Sequence, residues 1–251
     1  MSEVFDTEYA QMYDLLYQDK DYPGEAAYIS KLIRKHAPEA GSLLELGSGT
    51  GKHADLLVKD GFRLHGVELS EEMLSLAHPY RRDGLSFSQG DIRDVRVEGD
   101  FEVVLSLFHV VSYLPENEDI LQAFATARHH LQKGGLFIFD TWYGPAVLTD
   151  RPAVRVKRIE NDTSELTRIA EPTMHAEKNL VQVDYSLYLK DKASEVIKPF
   201  SEEHRMRYMF TPEMHVLLDQ SGFDLIHTEE WMSGRALDYD TWGACFVARA
   251  K

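Results

Sequence analysis

Three glycines at alternate positions, Gly47, Gly49 and Gly51, follow the apolar run Leu43-Leu44-Glu45-Leu46 and precede Lys52 and His53. An amphipathic segment at residues 54–58 comes next, so the order is buried strand, tight turn, helix. A glycine has no Cβ, and a turn built from glycines lets a ligand reach the backbone N–H groups at a helix start. A phosphate loop would need Gly-x-x-x-x-Gly-Lys-Ser/Thr. Leu46 stands where its first glycine belongs and His53 where its hydroxyl belongs. A dinucleotide fingerprint would need Gly-x-Gly-x-x-Gly, and here the third glycine comes one residue early. The turn alone does not choose its ligand, and a turn that merely packs a helix on a strand would use the same residues.

The acids downstream narrow the choice. Residues 63–68 read as a second short strand ending on Glu68, where a carboxylate can accept from both hydroxyls of a ribose. Ser70 is expected to cap the following helix, with Met73 as an apolar wall for an adenine. A third strand runs into Gly90-Asp91-Ile92, an acid to accept an amino group and an aliphatic side chain to cover a ring. Alone, either acid would be an ordinary solvated loop residue.

The run Glu-x-Gly-x-Gly-x-Gly at residues 45–51, with Glu68 and Asp91, resembles the cofactor motifs of class I S-adenosylmethionine-dependent methyltransferases. The resemblance implies S-adenosylmethionine as cofactor and S-adenosylhomocysteine as its product. The expected cofactor-binding residues are Tyr9, Tyr17, Glu45, Gly47, Ser48, Gly49, Gly51, His53, Glu68, Leu69, Met73, Gly90, Asp91, Ile92, Leu107 and Phe108.

Composition bounds the rest. The 251 residues, 43% hydrophobic and 27% charged, suit one large α/β domain or one domain with a sizeable insertion. The net charge of −15 argues against bulk binding to nucleic acid, which needs Lys and Arg against phosphates. Residues 151–210 are nearly balanced in charge, which suits either a mixed surface or a less repulsive mouth for an anionic substrate. No run approaches a membrane span, the N-terminus lacks a secretion signal, and the expected compartment is the cytoplasm. Cys245 is the single cysteine, so neither a disulfide framework nor a thiolate metal site is expected, and no metal is.

Taken in order, residues 1–40 read as an N-terminal helical lid, with Tyr9, Tyr13 and Tyr17 on one helix face. Such a stripe serves packing, or covers a cationic sulfonium. A helix at residues 24–36 leads into the strand at Ser42. The fourth strand, from Phe101, ends near Ser106, and His109 just beyond it is the candidate catalytic base, against the commoner role of a structural hydrogen-bonder. A helix at residues 116–131 is expected to close on a Lys133-Gly134-Gly135 turn before a fifth strand at residues 136–140. Asp140, Trp142 and Tyr143 then stand at the edge of the site.

From residue 154 to 210 the period becomes two, the mark of an antiparallel sheet with one wet face. Tyr13, Trp142, Tyr143, Arg205 and Arg207 are the expected substrate-side residues. Thr211 and Pro212 open a further helix, and strands at residues 223–231 and 241–248 close the sheet with Cys245 in the core.

More narrowly, the chain resembles the amino-sugar N,N-dimethyltransferases of macrolide biosynthesis. The stretches that carry this are Tyr13 to Tyr17, Lys20-Asp21-Tyr22 with Glu25-Ala26, Gly47 to His53, Glu68 to Leu74, Gln89 to Asp94 and Val111 to Leu114. The implied fold is α/β, a Rossmann-like seven-stranded sheet with helices on both faces. Residues 41–150 and 211–251 would form the cofactor-binding domain and residues 151–210 an antiparallel insertion on the substrate side. The implied activity is methyl transfer to a small molecule, with an amine nitrogen ahead of a hydroxyl oxygen. A protein that binds the donor without transferring methyl is the alternative of another class. The expected partner is a small-molecule substrate, with neither nucleic acid nor membrane. The sequence carries no signal for oligomeric state, and a homodimer is compatible with it.

Overall fold

The structure is a computed structural model that describes residues 12, 13 and 15–251. Tyr9 lies outside the described residues. Strands β1 (Ser42–Leu46), β2 (Arg63–Glu68), β3 (Leu85–Gln89), β4 (Phe101–Ser106) and β5 (Leu131–Tyr143) run parallel, side by side in the order β3-β2-β1-β4-β5. Beyond β5 the sheet turns antiparallel, with β11 (Gly243–Ala250) on β5 and β10 (Phe223–Glu230) on β11. These seven strands make the expected α/β sheet.

Helices cover both faces, which is why the central strands are apolar almost throughout. Helices α1 (Tyr22–His36), α2 (Lys52–Lys59) and α3 (Glu71–Ala77) pack on Leu43, Val103, Leu105 and Ile138. On the other face α4 (Asn117–His129) and α6 (Thr211–Gln220) pack on Leu44, Val104, Phe137 and Phe139. Alternate residues of one strand thus feed two separate cores. Cys245 is buried in the first of these, as its apolar strand requires. Among the described residues, no helix is long and apolar enough to cross a membrane.

Strands β6 (Arg155–Glu160), β7 (Ser164–His175), β8 (Leu180–Asp191) and β9 (Ile197–Met209) form the antiparallel insertion. It joins the main sheet where Tyr208 and Met209 pair with Trp142 and Tyr143 at the end of β5. A short helix α5 (Gly144–Thr149) starts the connection. Two boundaries differ from expectation. Lys133-Gly134-Gly135 lies inside β5 rather than capping a helix, because Gly134 takes φ +83° and the register shifts there, as at a bulge. Helix α6 takes Phe210, not Thr211, as its N-cap.

Candidate active site

The turns that leave β1, β2, β3, β4 and β5 gather at the carboxyl ends of the parallel strands, where open α/β sheets bind ligands. The three glycines have different jobs there. Gly47 (φ +81°) and Gly51 (φ +74°) take backbone conformations that other residues rarely adopt. A Cβ on Gly47 would lie 2.7 Å from two methyl carbons of Val110, and one on Gly51 would lie 2.8 Å from the Phe87 ring. Those two glycines are needed for chain packing, which corrects the expectation that each clears a path for ligand. Only Gly49 (φ +54°) faces open space, its nearest neighbour being the Met73 Cε at 3.9 Å.

The difference predicts a contrast. Gly47→Ala is expected to destabilise the fold by about 2 kcal/mol through strain and overpacking. Gly49→Ala should fold at lower cost and lose most of its affinity for S-adenosylhomocysteine. Thermal unfolding and calorimetry on both variants check this, and equal donor affinities would refute it.

Glu68 is buried, with Oε2 accepting from Gly49 N–H at 2.8 Å and Oε1 from Ser70 N–H at 2.9 Å. Burial raises its pKa while those backbone hydrogen bonds oppose the rise. Behind it, Glu45 is 1% exposed, and burial together with the neighbouring Glu68 pushes its carboxyl up to about 8. Glu45 Oε2 and Ser48 Oγ are buried without partners. Leu69 is 52% exposed, unusual for so large an apolar side chain beside a buried acid. Met73 is buried, and Ile92 packs at the edge of the core. An open glycine, a braced carboxylate, orphaned polar atoms and an uncovered leucine fit a nucleoside.

Asp91 is gripped by Arg93, which also bonds Asp119 at 2.9 Å, and the Arg93 hydrogen bonds hold the Asp91 carboxyl below its usual range. Three Arg93 donors, the backbone N–H, Nε and Nη2, share the four acceptor positions of the Asp91 carboxylate, with Nε divided between both oxygens. Gly90 touches Val95 where a Cβ would go. Leu107 is a correction, because its side chain is buried in the core under α1 to α3 rather than facing the cleft.

His53, in the first turn of α2, lies 2.7 Å from Glu25, which also pairs with Lys20. Burial alone would raise the Glu25 carboxyl, but the bonds from His53 and Lys20 bring it below its usual value. The Lys20 ammonium sits 3.8 Å from the Phe108 ring centroid, and Tyr17 meets the same ring edge-on at 5.4 Å. Tyr13 contacts Tyr17 at 4.6 Å and is buried beside Leu166 and Leu187 of the insertion.

Phe108 and His109 both take left-handed backbone conformations, φ +65° and +64°. Such a pair of non-glycine residues is strained and is held by its surroundings. The buried Asp140 does part of the holding: Oδ2 accepts from His109 N–H at 3.1 Å and lies 2.6 Å from Nδ1. The Nδ1 contact is oblique, an ion-pair approach rather than an aligned hydrogen bond. A cavity of about 690 Å³ opens beside His109. Trp142, Trp231, Trp242, Tyr185, Arg155 and Arg168 are among the residues that line it.

Of the expected substrate-side residues, Trp142 lines the cavity, and three others are placed differently. Tyr143 hydrogen-bonds Thr211 and packs against the core. Arg205 is exposed on the opposite face of β9 from His204, which contacts Tyr185 at 4.8 Å. Arg207 is buried, donating to Pro115 O at 3.1 Å and pairing with Glu213. Arg207→Ala is expected to cost about 2 kcal/mol of stability by leaving Glu213 unpaired, with the acceptor KM unchanged. Denaturant unfolding with steady-state kinetics checks it. Sequence reasoning missed Trp231, Trp242, Tyr185, Arg155 and Arg168. The alternation along β7 and β8 already puts Arg168 on the apolar face, because Arg168 pairs with Leu187.

A family model described as a methyltransferase domain matches residues 43–135. The chain is 30% identical to the dTDP-3-amino-3,4,6-trideoxy-alpha-D-glucopyranose N,N-dimethyltransferase of Streptomyces venezuelae, over 93% of this chain and 98% of the relative. The chain belongs to the class I S-adenosylmethionine-dependent methyltransferases. The methyltransferase is also 26% identical to the putative methyltransferase YqeM of Bacillus subtilis, over 86% of this chain and 85% of the relative. Its structure superposes on Streptomyces venezuelae DesVI with a TM-score of 0.81 at 28% identity, covering 98% and 100% of the two chains. A methyltransferase from Clostridium acetobutylicum gives a TM-score of 0.82 at 23% identity, covering 97% and 98%. The cofactor of the methyltransferase is S-adenosylmethionine, which supplies an electrophilic methyl group.

Proposed function

We propose that this methyltransferase methylates the amine nitrogen of a small sugar-like acceptor carried on a nucleotide, as a cytoplasmic enzyme. The cavity of about 690 Å³ between His109, after β4, and the insertion carries this proposal. Its tryptophans offer flat faces for a sugar ring, and Arg155 and Arg168 offer charge for an anionic group. These two arginines take the role that the sequence suggested for Arg205 and Arg207. The names of the relatives, three of them amino-sugar N,N-dimethyltransferases, point the same way.

Gly49, Glu68 and Asp91 hold the donor, and Tyr13, Tyr17 and Phe108 shield the reacting centre from water. Tyr13, Tyr17 and Lys20 act as the lid, whereas α1, expected to belong to it, packs in the core under the sheet, and residues 151–210 bring the substrate. The acceptor nitrogen attacks the methyl carbon in line, so alignment and dryness supply most of the acceleration. His109 takes the proton that the nitrogen must shed. Release of S-adenosylhomocysteine with dTDP-3-amino-3,4,6-trideoxyglucose, against phenols of similar size, tests the proposal. Saturation without turnover would leave a binding protein, and turnover of phenols alone would make the acceptor atom oxygen.

A further inference from the structure

We propose, resting on the amino-sugar acceptor above, that Glu202 and Tyr185 form a subsite for a sugar hydroxyl beside the reacting amine, and so decide which sugars are accepted. Glu202 is a buried carboxylate that the methyl transfer does not use. Its side chain is 6% exposed, with Oε2 2.7 Å from His204 Nε2. Its other oxygen, Oε1, is buried without a partner. A carboxylate oxygen left without a donor inside a protein is costly, and an incoming hydroxyl relieves that cost.

The groups behind Glu202 hold it still. A carboxylate only accepts, so His204 Nε2 donates to Oε2, and Tyr113 closes on Nδ1 at 2.8 Å. His204 is itself buried, and the Tyr185 ring meets it edge-on at 4.8 Å.

The strand register says which end of the cavity this is. Arg155, Ala170, Tyr185 and Glu202 stand opposite one another on β6 to β9, in one row on one face of the insertion. The first three line the cavity, and Glu202 stands beyond Tyr185. Strands lie about 4.8 Å apart, so the cationic and acidic ends of the row are roughly 14 Å apart along the sheet. Tyr17, which packs on Phe108 in the donor shield, interacts with both Tyr113 and Tyr185. The acidic end is therefore the donor end. An anionic group at Arg155 and a ring over the small Ala170 leave the ring substituents at Tyr185 and Glu202.

A hydroxyl fits that place. Burial raises the pKa of the Tyr185 phenol, and Arg168, 5.0 Å from its ring, only tempers the rise. The phenol thus keeps its proton and can donate. One sugar hydroxyl can accept from Tyr185 and donate to Oε1 together. The reacting amine does not fit, because a carboxylate would keep it as an ammonium without the lone pair that attacks.

The test uses the full chain with dTDP-3-amino-3,6-dideoxyglucose and its 2-deoxy and 4-deoxy forms, read as kcat/KM. Removing the hydroxyl that Glu202 binds should cost wild type at least about a hundredfold, less than the most selective buried sites achieve. In Glu202→Ala that preference should collapse to within about tenfold, the worth of one ordinary hydrogen bond. Tyr185→Phe keeps the ring and the carboxylate, and there the preference should shrink about tenfold. Calorimetry with S-adenosylhomocysteine shows whether each variant is folded.

A smaller cost for both deoxy sugars in wild type overturns this inference alone. So does a preference that survives in folded Glu202→Ala. If Glu202→Ala does not fold, an undiminished preference in Tyr185→Phe overturns it instead. Failure of wild type to methylate any of the three sugars overturns the amine reading, and this inference with it.

Discussion

Glu68→Ala is expected to weaken binding of S-adenosylhomocysteine about a hundredfold. The carboxylate is buried and held by Gly49 and Ser70 N–H groups, one on each oxygen, so it is preorganised before any ligand arrives. Each hydrogen bond from a ribose hydroxyl to such a carboxylate is worth roughly 1.5–3 kcal/mol, and two of them sum to about 3 kcal/mol at the low end. A loss of that size is about two decades in Kd. Alanine also strands the Gly49 N–H in the very turn that cradles the donor. Glu68→Gln keeps one accepting oxygen and should fall between the two. Calorimetry with the demethylated product is the direct measurement, and unchanged affinity in the alanine variant would remove the nucleoside from this pocket.

Glu45 yields the second large effect, on stability. Its carboxyl is raised from the ordinary 4.5 to about 8, first by burial and then by the charge on Glu68. Between those values the unfolded chain releases a proton that the folded chain keeps. Protons therefore bind more to the native state, and stability falls as pH rises through that window. The fall amounts to something on the order of 4 kcal/mol by the time the folded carboxyl ionises. Glu45→Gln cannot ionise, so it should lose this slope and be the more stable protein at alkaline pH. Denaturant unfolding of the donor-free enzyme across the acid, neutral and alkaline range reads the difference. Parallel pH profiles for variant and wild type would mean that Glu45 is ionised in the fold.

The two acids lie on adjacent strands, and burial, with the charge of Glu68 added to it, keeps Glu45 neutral. The same economy appears at β5. Asp140 is buried and yet holds a backbone N–H and an imidazole of the β4 turn. Glu68 ties the end of β2 to the turn after β1, and Asp140 ties β5 to the turn after β4.

The sequence by itself determined the parallel core and the donor turn. Short apolar runs buried on both faces, glycines at a strand end and acids after the next two strands are local patterns, and each needs only its own neighbours to be read. It also announced the insertion, because a switch to period two survives any arrangement of the strands. Only the tertiary structure decided which glycine faces open space, since Val110 reaches Gly47 from the turn after β4 and Phe87 reaches Gly51 from β3. It alone brought Arg168 and Trp231 into one wall, and sent Arg207 to Glu213. Strand alternation gives a side chain its face, but what stands opposite that face is set by how β9 docks on β5, a contact between segments far apart in the chain.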